Sequence, residues 1–266
     1  MVRVNGKHES EFGLVQVMGH TNPATPEFSN QWESIPGNSE SYYFGTKIEP
    51  KPLSIPFLIL DCTIEEAQER VDKYIPIFMD DLGNPEEVEL IYDYDLNRYY
   101  KARLISVSGP TRENYRMSSL ELNFMAYDPH RYSTVQNDEV TWGSEVLTFS
   151  SSIYTLGHEN SSAEFTLAGP GTIPVNVTGL ALHPVIKIEG SATSLIIENA
   201  GKKIEIGTFD NASWIIDTGK YISWLNGTEK IIKMDKFMLR NGLNNIKFTG
   251  SNLNIEVTLR FRDRWL

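Results

Sequence analysis

The chain is poor in cysteine, in positive charge and in long apolar runs. One cysteine, Cys62, stands among 266 residues, which excludes an internal disulfide and any paired-thiol metal site. No stretch approaches the roughly 18 consecutive apolar residues of a membrane span. The opening MVRVNGKHESEF lacks the apolar core of a secretory signal, so the expectation is a soluble protein, made in the cytoplasm, with no membrane insertion. Lysine and arginine number 24 against 35 acidic residues, a formal net charge of -11, which argues against non-specific attraction to nucleic acid or anionic lipid.

Reactive motifs are missing as well. The segment Asp93, Tyr94, Asp95, Leu96, Asn97 opens like a calcium loop, but Arg98 takes the place of the glycine needed for the sharp turn. Leu104 stands where a bidentate glutamate belongs. His8, His20, His130, His158 and His183 are scattered and read as surface or packing residues. There is no nucleophile elbow, Walker loop or dinucleotide fingerprint, and AGPGTIP at 168–174 lacks both the lysine and the following helix. No carboxylate pair is nominated for glycoside hydrolysis. The expectation is a protein that is not an enzyme and uses no metal or cofactor.

What is present is a globular composition, 40% apolar and 11% aromatic, enough for one or two domains. Prolines 23, 26 and 36 and glycines 13, 19 and 37 break the first 40 residues into short extended pieces, which read as a long arm or an irregular edge. SYYFGTKIEPKPLSIPFLIL, 41–60, reads as edge strands or bulges, because Pro50, Pro52 and Pro56 each remove a ladder donor. Such an unpaired edge is also a candidate partner surface. One helix follows. Thr63 and Glu66 have capping-box spacing, Ile64, Ala67, Val71, Tyr74, Ile75 and Phe78 share a face, and Pro76 ends or kinks the last turn. The run 88–108 reads as a hairpin turning at Asp95–Arg98, and 118–127 as a strand.

Asp128–Pro129 marks a domain boundary, giving domains 1–132 and 133–266. The second reads as all β, in seven short strands: 185–189, 194–198, 203–206, 214–217, 230–234, 245–248 and 255–261. Trp214 reads as core, and Trp142, Trp224, Trp265, Tyr154 and Tyr221 as further aromatics of this half. Trp224 with Tyr221, near the Asn226–Gly227 turn, is the candidate exposed pair for sugar stacking. The charge divides unevenly: 12 basic and 21 acidic residues in 1–132 (12 - 21 = -9), then 12 and 14 in the remainder (-2).

The order of features resembles a known family. A Pro/Gly-rich start, IPGN at 35–38, SIPFLIL, a single capped helix, a hairpin, the junction Ala126-Tyr127-Asp128-Pro129-His130-Arg131-Tyr132 and an all-β half closing in RFRDRWL are together similar to the distal tail protein, Dit, of long-tailed phages. HPVIKIEG (183–190), WIIDT (214–218) and GLNNI (242–246) resemble that family's galectin-like sandwich, while the Ser/Gly/Thr-rich 133–178 departs from it.

The resemblance implies a mainly β fold, with an N-terminal β-sandwich or split-barrel-like ring-forming domain bearing one α-helix, then a C-terminal galectin-like or jelly-roll β-sandwich. It implies a structural virion protein at the distal end of the tail, a homo-hexamer around a DNA-conducting channel. Its partners would be the tail tube protein, tail-tip or baseplate proteins and a receptor-binding protein. Glu86, Glu87, Glu89, Asp93 and Asp95 are then candidates for an acidic lumen that repels phosphate. The alternative is a carbohydrate-binding module protein using Trp224 and Tyr221 on host-surface sugar.

Overall fold

The computed structural model describes residues 1–37, 39–139 and 164–266. Trp142, Tyr154, His158 and Asn38 of the IPGN stretch lie outside the described residues. The chain is mainly β and divides into two compact units, Met1–Arg131 with Leu266, and Tyr132–Trp265.

In the first unit the strands are β1 (Val2–Val4), β2 (Lys7–His8), β3 (Leu14–Gln16), β4 (Phe28–Ser34), β5 (Ser41–Ile48), β6 (Lys51–Leu60), β7 (Glu87–Tyr92), β8 (Arg98–Asn114) and β9 (Met117–Ala126). The sheet runs β2-β1-β7-β8-β9-β6-β3, with antiparallel neighbours. Alternation directs Leu53, Ile55, Phe57 and Ile59 of β6, Leu122 and Phe124 of β9 and Val88 and Leu90 of β7 to one face, and all are buried.

Helix α1 (Ile64–Tyr74) closes that face. Its capping box is formed: the Glu66 N–H donates to Thr63 Oγ1 (3.3 Å) and the Thr63 N–H to Glu66 Oε2 (2.8 Å). The α-helix stops at Tyr74 and tightens into a 3-10 turn, Ile75–Phe78, around Pro76, because the ring cannot supply the next α-helical donor. Tyr74 and Phe78 enter an aromatic ladder. Tyr74 lies 5.0 Å from Phe12, 6.1 Å from Phe57 and 5.0 Å from Phe78, which meets Phe124 at 5.4 Å, in the tilted and edge-on geometries aromatic rings favour.

The expectation of edge strands or bulges over 41–60 holds for β5, which has only β4 beside it and carries a bulge, and needs correction for β6. β6 has β9 along its whole length and β3 along Phe57–Ile59. Its prolines are tolerated because of the side they face. Ser54 exchanges both backbone bonds with Thr21 (2.8 and 3.1 Å), so Pro52 and Pro56, two residues to either side, also direct their missing donors away from β9. Pro56 contributes only its carbonyl, which accepts from the Val17 N–H (3.1 Å). The β6–β9 ladder therefore loses nothing.

The N-terminal segment is fastened by acids. Buried Glu9 accepts from the Val2 N–H (3.0 Å), and Asp93 binds His8 Nε2 (3.0 Å) and Arg3 Nε (3.2 Å). Burial pulls the Asp93 pKa up, but the hydrogen bonds and charges of His8 and Arg3 outweigh it and hold the carboxyl below its ordinary value.

The second unit follows β10 (Arg131–Ser133), which spans the point of division. It contains β11 (Glu164–Leu167), β12 (Gly171–Val177), β13 (Val185–Asn199), β14 (Lys202–Asp217), β15 (Ile222–Leu225), β16 (Thr228–Glu229), β17 (Lys233–Met234), β18 (Gly242–Arg260) and β19 (Arg264–Trp265). Six of the seven short strands expected from sequence turn out to be halves of three long ones, β13, β14 and β18, each bent in the middle. The seventh, 230–234, shrinks to β17. Val185–Gly190 pairs with Ala212–Asp217 and with Ile255–Arg260; after register shifts, Ile196–Asn199 pairs with Lys202–Glu205 and Ile196–Glu198 with Lys247–Thr249.

β11 and β15 extend the first layer, and β12 and β17 the second. Ile186, Ile188, Trp214, Val257 and Leu259 of one layer share a single core with Ile197, Ile204, Ile246 and Phe248 of the other, so the sheet folds on itself as a β-sandwich. The bends gather left-handed residues: Gly190 (φ 127°), Ser194 (55°), Gly207 (89°), Asn211 (41°) and Asn252 (51°). At Gly190 a Cβ would sit 2.2 Å from the Asn254 carbonyl oxygen. Among the described residues no helix is long and apolar enough to cross a membrane.

Two outcomes are expected. Gly190→Ala should cost roughly 2–4 kcal/mol in chemical denaturation, from strain plus clash, whereas Gly201→Ala, at φ 76° with open space around it, should cost only about 1 kcal/mol. Equal losses would show that close packing at the bend is unimportant. For Asp93, a carboxyl with a depressed folded pKa stabilises at neutral pH, and that stability is lost as pH falls through its folded value. Asp93→Asn should lower stability by about 0.5–1 kcal/mol at pH 7 and flatten the acid limb of a stability–pH profile.

Candidate functional site

One element of the first unit has no sheet to cover it. β4 and β5 pair only with each other, and a lone two-stranded hairpin is marginal in water. In the register Phe28 faces Ile48, Asn30 faces Thr46 and Trp32 faces Tyr43, with Phe44 the extra residue of a bulge. Residues 28, 30 and 32 alternate onto one side of β4, and directly paired residues share a side. Phe28, Trp32, Tyr43 and Ile48 therefore form one apolar face, while Ser29, Lys47, Gln31, Glu33 and Tyr42 occupy the other. Trp32 is 64% exposed, Tyr43 63% and Phe44 68%.

The hairpin is ordered by its own polar bonds. Thr46 Oγ1 donates to Asn30 Oδ1 (2.6 Å), Tyr43 Oη bonds Thr46 Oγ1, and Lys47 pairs with Glu49 (2.8 Å). An ordered, amphipathic sheet left uncovered among the described residues is an exposed apolar patch of the kind that marks contact surfaces. Sequence reasoning read 1–40 as short pieces or an arm and missed this hairpin. The available signal was Phe28 and Trp32 four apart, opposite the Tyr42-Tyr43-Phe44 run across a Pro-Gly turn.

The five lumen candidates do not form one group. Glu87 and Glu89 stand on the solvent face of β7 and Glu86 just before it, all exposed, with Glu87 opposite Arg103 and Glu89 opposite Lys101 on β8. Asp93 is engaged by Arg3 and His8, and Asp95 by Arg98 (3.2 Å) and Arg131 (3.7 Å). The partners at the would-be calcium turn are thus side-chain cations.

The two sugar candidates differ in kind. Tyr221 is exposed in a left-handed turn (φ 57°). Trp224, the candidate for exposure, is half-buried in β15, between Ile215 of β14 and Glu229 of β16. Trp214 is buried as expected, edge-on to Phe209 at 6.3 Å. His183 Nδ1 bonds the Phe237 carbonyl (2.8 Å), His130 pairs with Asp128, and His20 lies against Tyr92 and Tyr94. Among the described residues no three or more His, Cys, Asp or Glu side chains are placed to hold a metal ion. Buried Cys62 points its thiol at the Ile59 carbonyl (3.7 Å).

Comparison with known proteins follows this geometry. Residues 7–126, the part that carries the hairpin, match the family model of the phage tail protein RIFT-related domain. No curated protein matches the chain. Among solved structures, the chain is similar over its whole length to the Dit protein of phage SPP1, described as a paradigm of the hub adsorption apparatus in phages infecting Gram-positive bacteria. The TM-score is 0.71 at 14% identity, covering 100% of this chain and 98% of that one. Two structures of the phage P2 baseplate in its activated conformation, with calcium and with strontium, align at TM-score 0.44 and 11% and 12% identity, covering 93% and 94% of this chain and 90% of each of theirs. The resemblance read from the order of sequence features is borne out in the fold: residues 7–126 match the phage tail protein RIFT-related domain, and the chain has the fold of the distal tail protein, Dit, of phage SPP1.

Proposed function

We propose that this protein is a structural hub of a phage tail, working through its interfaces and not through catalysis. The observation that carries the reading is the uncovered aromatic face of the β4–β5 hairpin, in a domain of a phage tail family. Burying Phe28, Trp32, Tyr43 and Ile48 against a neighbouring copy would supply the apolar centre that a stable interface needs. Repeated head to tail, that contact closes a ring, and six copies are the number the family resemblance suggests. In this reading the first domain joins the tail tube to tail-tip proteins, the second β-sandwich displays adsorption components at the distal end of the virion, and DNA passes through the ring. Exposed Glu86, Glu87 and Glu89 are then the carboxylates able to repel phosphate, since Asp93 and Asp95 are taken up by cations. Sugar recognition through Tyr221 and Trp224 has less to support it, because most of Trp224 is covered.

Light scattering of the full chain over a concentration series tests the assembly. Six times 30.2 kDa is about 181 kDa, and that mass is the expected plateau. A Trp32→Ser, Tyr43→Ser double variant should remain monomeric, with the melting of the two cores within about 0.5 kcal/mol of the parent, because both side chains lie outside those cores. A variant that still assembles fully would remove the hairpin from the interface. A wild type that stays monomeric throughout would remove self-assembly.

A further inference from the structure

Both legs of the β4–β5 hairpin meet the body of the first unit at one hydroxyl. Lys51 opens β6 directly after the outgoing leg and is 1% exposed. Its Nζ donates to Tyr100 Oη at 2.8 Å. On the incoming leg Asn22 takes the other side of that hydroxyl: Tyr100 Oη donates to Asn22 Oδ1 (3.1 Å), and Asn22 Nδ2 donates to Tyr94 Oη (2.7 Å). The adjoining Thr21 and Ser54 exchange both backbone bonds. The root of the hairpin is thus a short polar chain, Lys51–Tyr100–Asn22–Tyr94, that ties residues 21–22 to residues 51–54.

The surroundings of Lys51 are unusual for an amine. Among the described residues no carboxylate bonds it. The charged group nearest in influence is Arg131, of like sign, whose carboxylate partner Asp95 is shared with Arg98. Tyr100 faces it from β8, and Tyr92, Tyr94 and His20 stack beyond. A buried cation with no counter-ion is costly. Burial, and next Arg131, lower the Lys51 pKa from 10.5 to about 8, while burial first of all raises those of Tyr92 and Tyr100, so these two phenols stay neutral through the range in which the amine titrates.

We propose that Lys51 is a proton-operated clasp on the root of the hairpin: the neutral amine holds both legs on Tyr100, and protonation makes the root easier to open. The sign follows from linkage. Opening returns the amine to water, where its pKa is higher than in the closed root, so closure is tightest at high pH and weakens as pH falls through the closed-state value. The inference does not depend on ring formation, because it concerns the hairpin of a single chain.

Hydrogen exchange on the full chain, corrected for intrinsic rates, reads the opening at the Thr21 and Ser54 amides. Between pH 7 and pH 9 the opening constant should fall about tenfold, the factor that linkage gives for pKa values of 10.5 open and about 8 closed. Lys51→Met should abolish that dependence, while amides in the core of the second unit behave alike in both proteins. If the variant folds poorly, an NMR titration of the Lys51 side chain in the wild type decides. A midpoint near 8 supports the clasp, whereas a midpoint at 10 or above, or opening that does not change with pH, overturns it.

Discussion

A β-sheet presents two faces, and water tolerates an apolar one poorly, so each sheet in this chain has to find a cover. The first unit meets that demand with α1 and the 3-10 turn, whose Tyr74 and Phe78 lie over Phe57 and Phe124. The second meets it without any helix, by bending β13, β14 and β18 until one half of the sheet covers the other. The β4–β5 hairpin has no cover within the chain's described residues, although Phe28, Trp32, Tyr43 and Ile48 give it an apolar side around the polar pair Asn30 and Thr46. The proposed assembly answers this constraint: a face that the monomer leaves wet is one a partner can dry.

The first 132 residues hold nearly all of the net charge of -11, which discourages non-specific association of monomers. Several acids are also tied down locally. Asp93 and Asp95 hold distant cations, and Glu9 holds the start of β1. These carboxylates serve the fold first, so the acidity of the domain is a poor guide to the acidity of any one surface.

Sequence made the local devices legible. The Thr63–Glu66 box, the tightening at Pro76, the alternation over 255–261 and the burial of Trp214 each depend on neighbours a few residues away, and each is present. Continuity was harder to see. Gly190 and Gly250 look like turn residues between separate strands, yet they lie inside single strands that bend, because a bulge and a loop draw on the same left-handed backbone. The hairpin escaped for a different reason: aromatic residues in a proline-broken stretch suggest neither a core strand nor a solvated loop. Arg3 and Arg131 were invisible as partners of Asp93 and Asp95, since Arg3 is 90 residues from Asp93 and Arg131 is 131 - 95 = 36 from Asp95, and only the finished fold brings them together. The order of features, read as a resemblance, carried further than any single motif.

The sharing of three strands between two layers also governs how the second unit can form. β11 pairs with β18 at Glu164 and Thr258, 258 - 164 = 94 residues apart, and neither layer can be completed before the chain has almost ended. Such non-local pairing places the unit among slow folders, in the range of milliseconds to seconds rather than microseconds. Because every long strand belongs to both layers, one layer cannot melt while the other persists, and the sandwich should come apart in a single cooperative step. The sandwich gains from that arrangement a way to keep its strand edges paired until it unfolds as a whole.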